Sequence, residues 1–521
     1  MDSSPSNVPR LTVAMIVRNC APQLAATIAS IRSIADEIVV LDTGSTDDTL
    51  TVAVQVGATV HRRTWDDDFA AARNACLEKA TGDWILWLDA GETLDANQSA
   101  ALRTFVNTAV DPERAYRLIV ALPAAAGQLG REQIARLRLH PRRAGLQFAG
   151  RVREQLDPSL TAQNIEIEPL SIVVERGPLD NDPGVKAGKA QRNIRLADLD
   201  LAQHGPTAPV HNVLGEAFQT LGDHVRAAQH YRRSLDLAER KSRDHLEAFY
   251  GLLTCLDGVS ADRSDQLSLA ILALEHFPLD AQLLVALGGY LQSLGQTQLA
   301  VRSFDLAFRH GQVESQIWHL PDIRQIAASC AATVLMQARE DDQARTLLEA
   351  AVTIHPGSHK LALQLIDLHV RNLRRNEALA VIAGFFSAAD RERLSAAVRG
   401  AYLAQQGDWS AAADLLQAAL LDGCRERFCL RWLVTSWLAL ERPLDAKTAM
   451  RIWQAADPQN DEIASFQEQI AAQLEELAET VPGPRRVDDP APVGGPLSKR
   501  RQPSGPTIGI TGRGGRESVD S

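Results

Sequence analysis

Three short stretches bring acids and an arginine to places where they can do chemistry. "DWILWLDAGE" (83–92) runs apolar into Asp89, with Gly91 two residues on and Glu92 after it. "VVLDTGSTDDT" (39–49) delivers Asp42 to a glycine-containing turn, and "WDDDFAAARN" (65–74) carries Arg73 about one helical turn past three aspartates. A carboxylate handed by a buried strand to a loop suits a nucleotide or a metal-bound phosphate. A divalent cation needs several oxygen ligands, and a second acid close to Asp89 is the usual provision. Gly91 brings no oxygen on a side chain, which leaves Glu92 as the nearest substitute, one residue displaced. A fourth stretch, "REQIARLRLHPRRAGLQFAGRVRE" (131–154), holds seven arginines against two glutamates. Arginine is permanently charged and grips phosphate oxygens in pairs, so guanidinia lining a cleft can oppose the charge a metal would otherwise neutralise.

The elements that position these residues follow from periodicity. "LTVAMIV" (11–17), "EIVVLD" (37–42), "ATVHR" (58–62) and "DWILWLD" (83–89) read as strands. The segments between them have helical spacing, and two of these end on Gly57 and Gly82. Strand–helix alternation with continuous apolar strands implies a parallel sheet covered on both faces, whose ligands bind beyond the carboxyl ends of the strands. That rule gathers Asn19, Asp42 and Asp89 at one edge. Ser45 and Asp48 have the spacing of a helix-capping pair, and Asp66, Asp67 and Asp68 suit the start of the next helix.

After "GPLDNDPG" (177–184) the text changes to an Ala-, Leu-, Gln- and Arg-rich one with few strand signals. "LGEAFQTLGDHVRAAQHYRRSL" (214–235) and "LGGYLQSLGQTQLAVRSFDLAF" (287–308) place Gly215/Gly288, Gly222/Gly295, Ala227/Ala300 and Tyr231/Phe304 at equal offsets. Looser copies lie at 341–356 and 407–420. Small residues let paired helices approach and an aromatic ring fills the space between them, the design of an α-solenoid. From 481 the chain is Pro-, Gly- and Ser-rich with a KRR cluster, the composition of a disordered tail.

Bulk properties narrow the function classes. A chain of 521 residues implies two or more domains. A net charge of -11 argues against nucleic-acid binding through a basic surface. Six scattered cysteines with no zinc spacing fit free thiols in a reducing compartment. No apolar run reaches the roughly 18 residues of a membrane span, and the start does not read as a signal peptide. The expected location is the cytoplasm.

Together "LTVAMIVRN", "EIVVLDTGSTDDT", "DDFAAARN" and "ATGDWILWLDA" resemble, in order and spacing, the nucleotide-sugar-binding half of family 2 glycosyltransferases of the GT-A fold. Bacterial members with tetratricopeptide repeats behind the catalytic domain are the nearest look-alikes. The resemblance covers residues 10–178, followed by a tetratricopeptide-like domain at 186–478 and the tail at 481–521. It implies transfer of a sugar from a nucleotide diphosphate to an acceptor, with inversion. Asn19, Asp42, Arg73 and Asp89 would hold the donor, Asp42 at the base and Asp89 near ribose and metal. Glu154 would be the base, with Arg153 beside it. Manganese or magnesium would be the cofactor, on Asp89 and, by a one-residue shift, Glu92.

Three departures accompany the match. The chain reads "VRNC" for VKNE, "DAGE" for DADE, and "GRVRE" for G-x-V-H-E, so Cys20, Gly91 and Arg153 replace an acid, an acid and a histidine. Two readings follow. In one, arginines or Glu92 compensate and the domain transfers a sugar, while the repeats present a concave surface to a peptide or protein acceptor or partner. In the other, the domain is an inactive scaffold that works through the repeats.

Overall fold

The structure is a computed structural model that describes residues 8–123, 131–458, 460 and 462–480. The tail expected from 481 lies outside the described residues. The chain divides into two compact units, residues 1–338 and 339–521.

The first unit opens with strand β1 (Leu11–Val17), helix α1 (Ala21–Ile31), β2 (Glu37–Asp42), α2 (Thr49–Gln55), β3 (Thr59–Arg62), α3 (Phe69–Leu77) and β4 (Trp84–Trp87). There follow β5 (Glu92–Thr93), α4 (Ala96–Thr108), β6 (Arg114–Ala121), β7 (Gln133–Pro141), α5 (Asp157–Ala162) and β8 (Glu166–Arg176). The eight strands form one sheet in the order β3-β2-β1-β4-β7-β6-β8-β5. The expected parallel run is real for β3-β2-β1-β4, and the sheet then turns mixed: β7 joins β4 antiparallel and pairs antiparallel with β6. The reason is connectivity. β6 and β7 are consecutive antiparallel strands, which need no crossover helix between them.

Apolar residues of β1, β2 and β4 go to both faces, as a doubly covered sheet requires. Leu24, Ile28 and Ile31 of α1 and Leu102 and Val106 of α4 pack on one face; Ala72 and Cys76 of α3 pack on the other against Val39, Ile85 and Trp87. Asp68 caps α3 by accepting from the Ala71 amide at 2.8 Å. The Ser45–Asp48 cap does not form. Instead the Ser45 hydroxyl accepts from the Asn19 amide and Asp47 accepts from the Thr49 amide, so α2 starts at Thr49.

Eight helices complete the first unit: α6 (Pro183–His204), α7 (Ala208–Thr220), α8 (His224–Leu237), α9 (Arg243–Gly258), α10 (Arg263–His276), α11 (Ala281–Ser293), α12 (Thr297–His310) and α13 (Ile323–Gln337). The small-residue pattern has the meaning its spacing suggested. A Cβ on Gly215 of α7 would meet the Tyr231 ring of α8 at 2.7 Å, and one on Gly288 of α11 would meet the Phe304 ring of α12 at 2.5 Å. The second unit holds eight further helices among the described residues, from α14 (Asp341–Ile354) to α21 (Glu462–Thr480). The architecture is an α/β domain followed by tetratricopeptide-like helical pairs.

The repeats of the first unit are joined to the sheet domain. Trp65 and Phe69 pack into the cluster built by Leu196, Val213, Leu214 and Leu252 of α6, α7 and α9. Arg195 of α6 pairs with Asp67, and Gln133 of β7 pairs through its backbone with His319.

Candidate active site

Asp42 and Asp89 both lie at the carboxyl edge of the parallel strands. Val17 of β1 is level with Asp42, and Ala14 is level with Trp87, which sets Asp89 near the other side of Ile16. β2 and β4 flank β1, so the two acids are about 10 Å apart across the sheet. Asp42, only 2% exposed, turns its carboxylate onto its own loop and accepts from the amides of Gly44 and Ser45 at 3.1 Å each. Asn19, in the left-handed region with φ 49°, accepts from the Thr46 amide at 2.7 Å and so ties the loop after β1 to the loop after β2. The Cys20 amide donates to Thr49 at 2.8 Å, and burial pushes its thiol above the ordinary range.

Asp89 is held by arginines. Arg73 of α3 donates to one carboxylate oxygen at 3.1 Å and Arg138 of β7 to the other at 3.0 Å; Arg176 stands at 3.9 Å. Burial would raise the Asp89 acid, but the charges of Arg138, Arg73 and Arg176 outweigh it and hold it far below the usual carboxylate range. Arg73 also donates to Glu154 at 2.5 Å, with its guanidinium 4.9 Å from the Trp87 ring. Glu92, 1% exposed, accepts from Arg138 at 2.5 Å, from Arg176 at 3.4 Å and from the Asp89 amide at 3.0 Å.

Gly91 is the third residue of a turn closed by the bond from the Glu92 amide to the Asp89 carbonyl. Its φ is +101°, and a Cβ there would meet nothing nearer than Gln23 at 3.8 Å. Backbone conformation, not space, calls for glycine.

A divalent cation does not fit this donor set. Both acids at the lip, Asp89 and Glu92, already share the Arg138 guanidinium, and Gly91 adds no ligand. Among the described residues no group of three His, Cys, Asp or Glu is disposed to hold a metal ion.

Arg153 is turned away from Asp89 and toward the repeats. It has φ 52° and pairs with Glu216 of α7 and with Glu247 of α9, the latter at 2.5 Å. Its neighbour Glu154 points to Arg73. Sequence reasoning singled out neither Arg138 nor Arg176, and it gave no role to Glu216 or Glu247. Arg138 lay within the arginine-rich stretch. What brings it to the end of β4 is the antiparallel pairing of β4 with β7, in which Leu86 is level with Leu139; on the other side of β7 the register with β6 shifts, Tyr116 pairing with Leu139 and Arg117 with Leu137, so Arg138 is left out of that ladder.

Residues 12–107 match the glycosyl transferase family 2 model. The family 2 match covers β1 to α4 and therefore Asn19, Asp42, Arg73, Asp89 and Glu92. A TPR repeat-containing protein of Synechococcus elongatus is 33% identical over 229 residues, 43% of this chain and 55% of that protein. The SPbeta prophage-derived glycosyltransferase SunS of Bacillus subtilis is 34% identical over 87 residues, 16% of this chain and 21% of that one. The chain thus spans about half the length of the first relative and about a fifth of the second. A solved tetratricopeptide repeat protein from Parabacteroides merdae aligns with 51% of this chain and 98% of its own, at 13% identity and a TM-score of 0.38. The N-terminal domain is family 2 glycosyltransferase-like. No helix of the described residues is long and apolar enough to cross a membrane.

Proposed function

We propose that the chain transfers a sugar from a nucleotide-diphosphate sugar to an acceptor, and that guanidinia take the electrostatic part a metal would play. The observation that carries this reading is the seating of Asp89 between Arg73 and Arg138 at 3.1 and 3.0 Å on the ligand-binding edge of the sheet. Asn19 and Asp42 shape the loops that would receive the nucleoside, and Asp89 marks the ribose and diphosphate end. An entering diphosphate competes with Asp89 and Glu154 for Arg73. As Arg73 swings to the phosphate, Glu154 loses its partner and becomes free to accept a proton. The acceptor hydroxyl then attacks the anomeric carbon and gives its proton to Glu154. The bond from that carbon to the diphosphate oxygen breaks, and the electron pair leaves on a diphosphate faced by Arg73, Arg138 and Arg176. Attack opposite the leaving group inverts the anomeric centre.

The repeats suit a peptide or protein, either the acceptor or a partner. Six free cysteines, with Cys424 and Cys429 both buried and unbridged, favour the reducing cytoplasm.

The test is donor hydrolysis and transfer with a panel of nucleotide sugars, in manganese and in chelator. Turnover that survives chelation and is lost in Asp89→Asn and Arg138→Met supports the reading. Nucleotide binding without turnover under every metal condition leaves an inactive scaffold instead. Turnover that requires manganese overturns the role given to the arginines.

A further inference from the structure

The segment between α12 and α13 is built into the sheet. β4 ends at Trp87, and its Leu86 is level with Leu139 of the antiparallel β7. Counting on in that register, Asp89 comes level with Arg136, so residues 133–135 of β7 lie beyond the end of β4. The α12–α13 segment bonds to their backbone. The Gln133 amide donates to the His319 carbonyl at 2.9 Å, the His319 amide to the Gln133 carbonyl at 3.0 Å, and the Ala135 amide to the Ser315 carbonyl at 2.6 Å. Neighbouring side chains of an extended segment point opposite ways. Ile317, 7% exposed, joins the repeat core of Leu246, Phe249 and Leu283, whereas Trp318 packs against the sheet core that holds Ile134 and Val174.

Trp318 meets the candidate site through one residue. The Arg176 guanidinium stands over its ring, 5.7 Å from the centroid. Arg176 ends β8 opposite Glu92 of β5, and it lies 3.4 Å from the Glu92 carboxylate and 3.9 Å from that of Asp89. Arg138 makes the corresponding contacts at 2.5 and 3.0 Å. The two acids therefore fix Arg138 more firmly than Arg176. Attraction to a ring face holds a guanidinium without occupying the hydrogen-bond donors it needs for a phosphate. The backbone bonds on either side of Trp318 in turn hold the ring.

We propose that Trp318 is the positioning residue for Arg176. It keeps this guanidinium turned to the Asp89 edge, so a segment of the repeats sets the affinity of the sheet domain for a diphosphate. The proposal rests on the glycosyltransfer reading for the identity of that diphosphate, the donor's leaving group.

The test is calorimetric titration of the full chain, in chelator, with inorganic pyrophosphate, with the common nucleoside diphosphates and with the parent nucleoside of whichever binds. In Trp318→Met the affinity for pyrophosphate and for the nucleoside diphosphate should fall about three- to tenfold. Trp318→Phe, which keeps a ring face, should restore most of it. The loss should vanish when Trp318→Met is placed on Arg176→Met, and the nucleoside without phosphates should bind parent and variant alike. Should Trp318→Met not fold, Trp318→Leu is held to the same outcomes. A merely structural tryptophan predicts a loss for the nucleoside too, in both backgrounds; that result overturns the proposal, as does pyrophosphate affinity unchanged in Trp318→Met. If no nucleotide binds while pyrophosphate binds and depends on both residues, the donor reading falls and the positioning role stands. If neither binds, both fall.

Discussion

Glu92→Gln separates a structural anchor from a metal ligand. The Glu92 carboxylate is buried and accepts from Arg138 at 2.5 Å, from Arg176 at 3.4 Å and from the Asp89 amide at 3.0 Å. An amide oxygen can keep the bond from Asp89, so the loss is the charge facing two guanidinia. Breaking a buried ion pair by removing one partner costs about 3–5 kcal/mol. Arg138 retains Asp89 and Arg176 is half-exposed, which brings the expected loss to about 2–3 kcal/mol. For a unit of 338 residues that corresponds to a fall in melting temperature of about 3–4 °C. The assay is thermal unfolding in chelator, followed by a tryptophan signal from Trp84 and Trp87 of the sheet. A metal ligand predicts the opposite pattern, with no change in chelator and a lost manganese-induced rise. An unchanged melting temperature in chelator would refute the anchor and with it the arginine account of the site.

The other predictions concern the turn, the acid limb and the repeats. Gly91→Asp restores the acid of the usual motif on paper, but φ is +101° there; stability should fall by about 1–2 kcal/mol, and a manganese titration should show no new stabilisation because Arg138 already holds the neighbouring acids. His140 is fully buried, accepts from the Trp87 indole at 3.0 Å and has its pKa lowered by burial to about 4. Between an ordinary 6.5 and that value the unfolded chain binds the extra proton, so stability is full above 6.5 and declines as pH falls toward 4, by about 3 kcal/mol in all; denaturant unfolding from pH 7 to 4 should lose that slope in His140→Gln. Glu216→Gln and Glu247→Gln should each destabilise the first unit modestly, and the double variant by more than the sum, because only the double leaves Arg153 wholly unmatched; a double-mutant cycle on unfolding free energy checks this.

The sheet and its edge were readable because their signals are local. Four apolar runs fixed β1 to β4, and the residues just past them, Asn19, Asp42 and Asp89, had to meet at one edge once the strands were parallel. The repeats were readable from a longer but equally explicit signal, the glycine under each aromatic ring. Arg138 could not be placed that way. Its position depends on which strand pairs with β4 and in what register, and neither the antiparallel partner β7 nor its shift against β6 is written in the alternation along one strand. Glu216 and Glu247 were beyond reach for another reason. On a helix face they look like ordinary solvated acids, and only the tertiary approach of α7 and α9 to Arg153 makes them partners of the residue beside Glu154.

That approach changes what the repeats are. If α7 and α9 were a separate adaptor, Arg153 would be an exposed loop arginine, and Glu154 would be set only by its own backbone. Instead the left-handed residue at 153 sends one side chain to Glu216 and Glu247 while the next side chain goes to Arg73. The two directions are coupled through two adjacent residues. A shift of α7 and α9 therefore acts on Glu154, which accepts from Arg73. Arg153 thus ties the segment that carries Glu154 to α7 and α9 of the repeats.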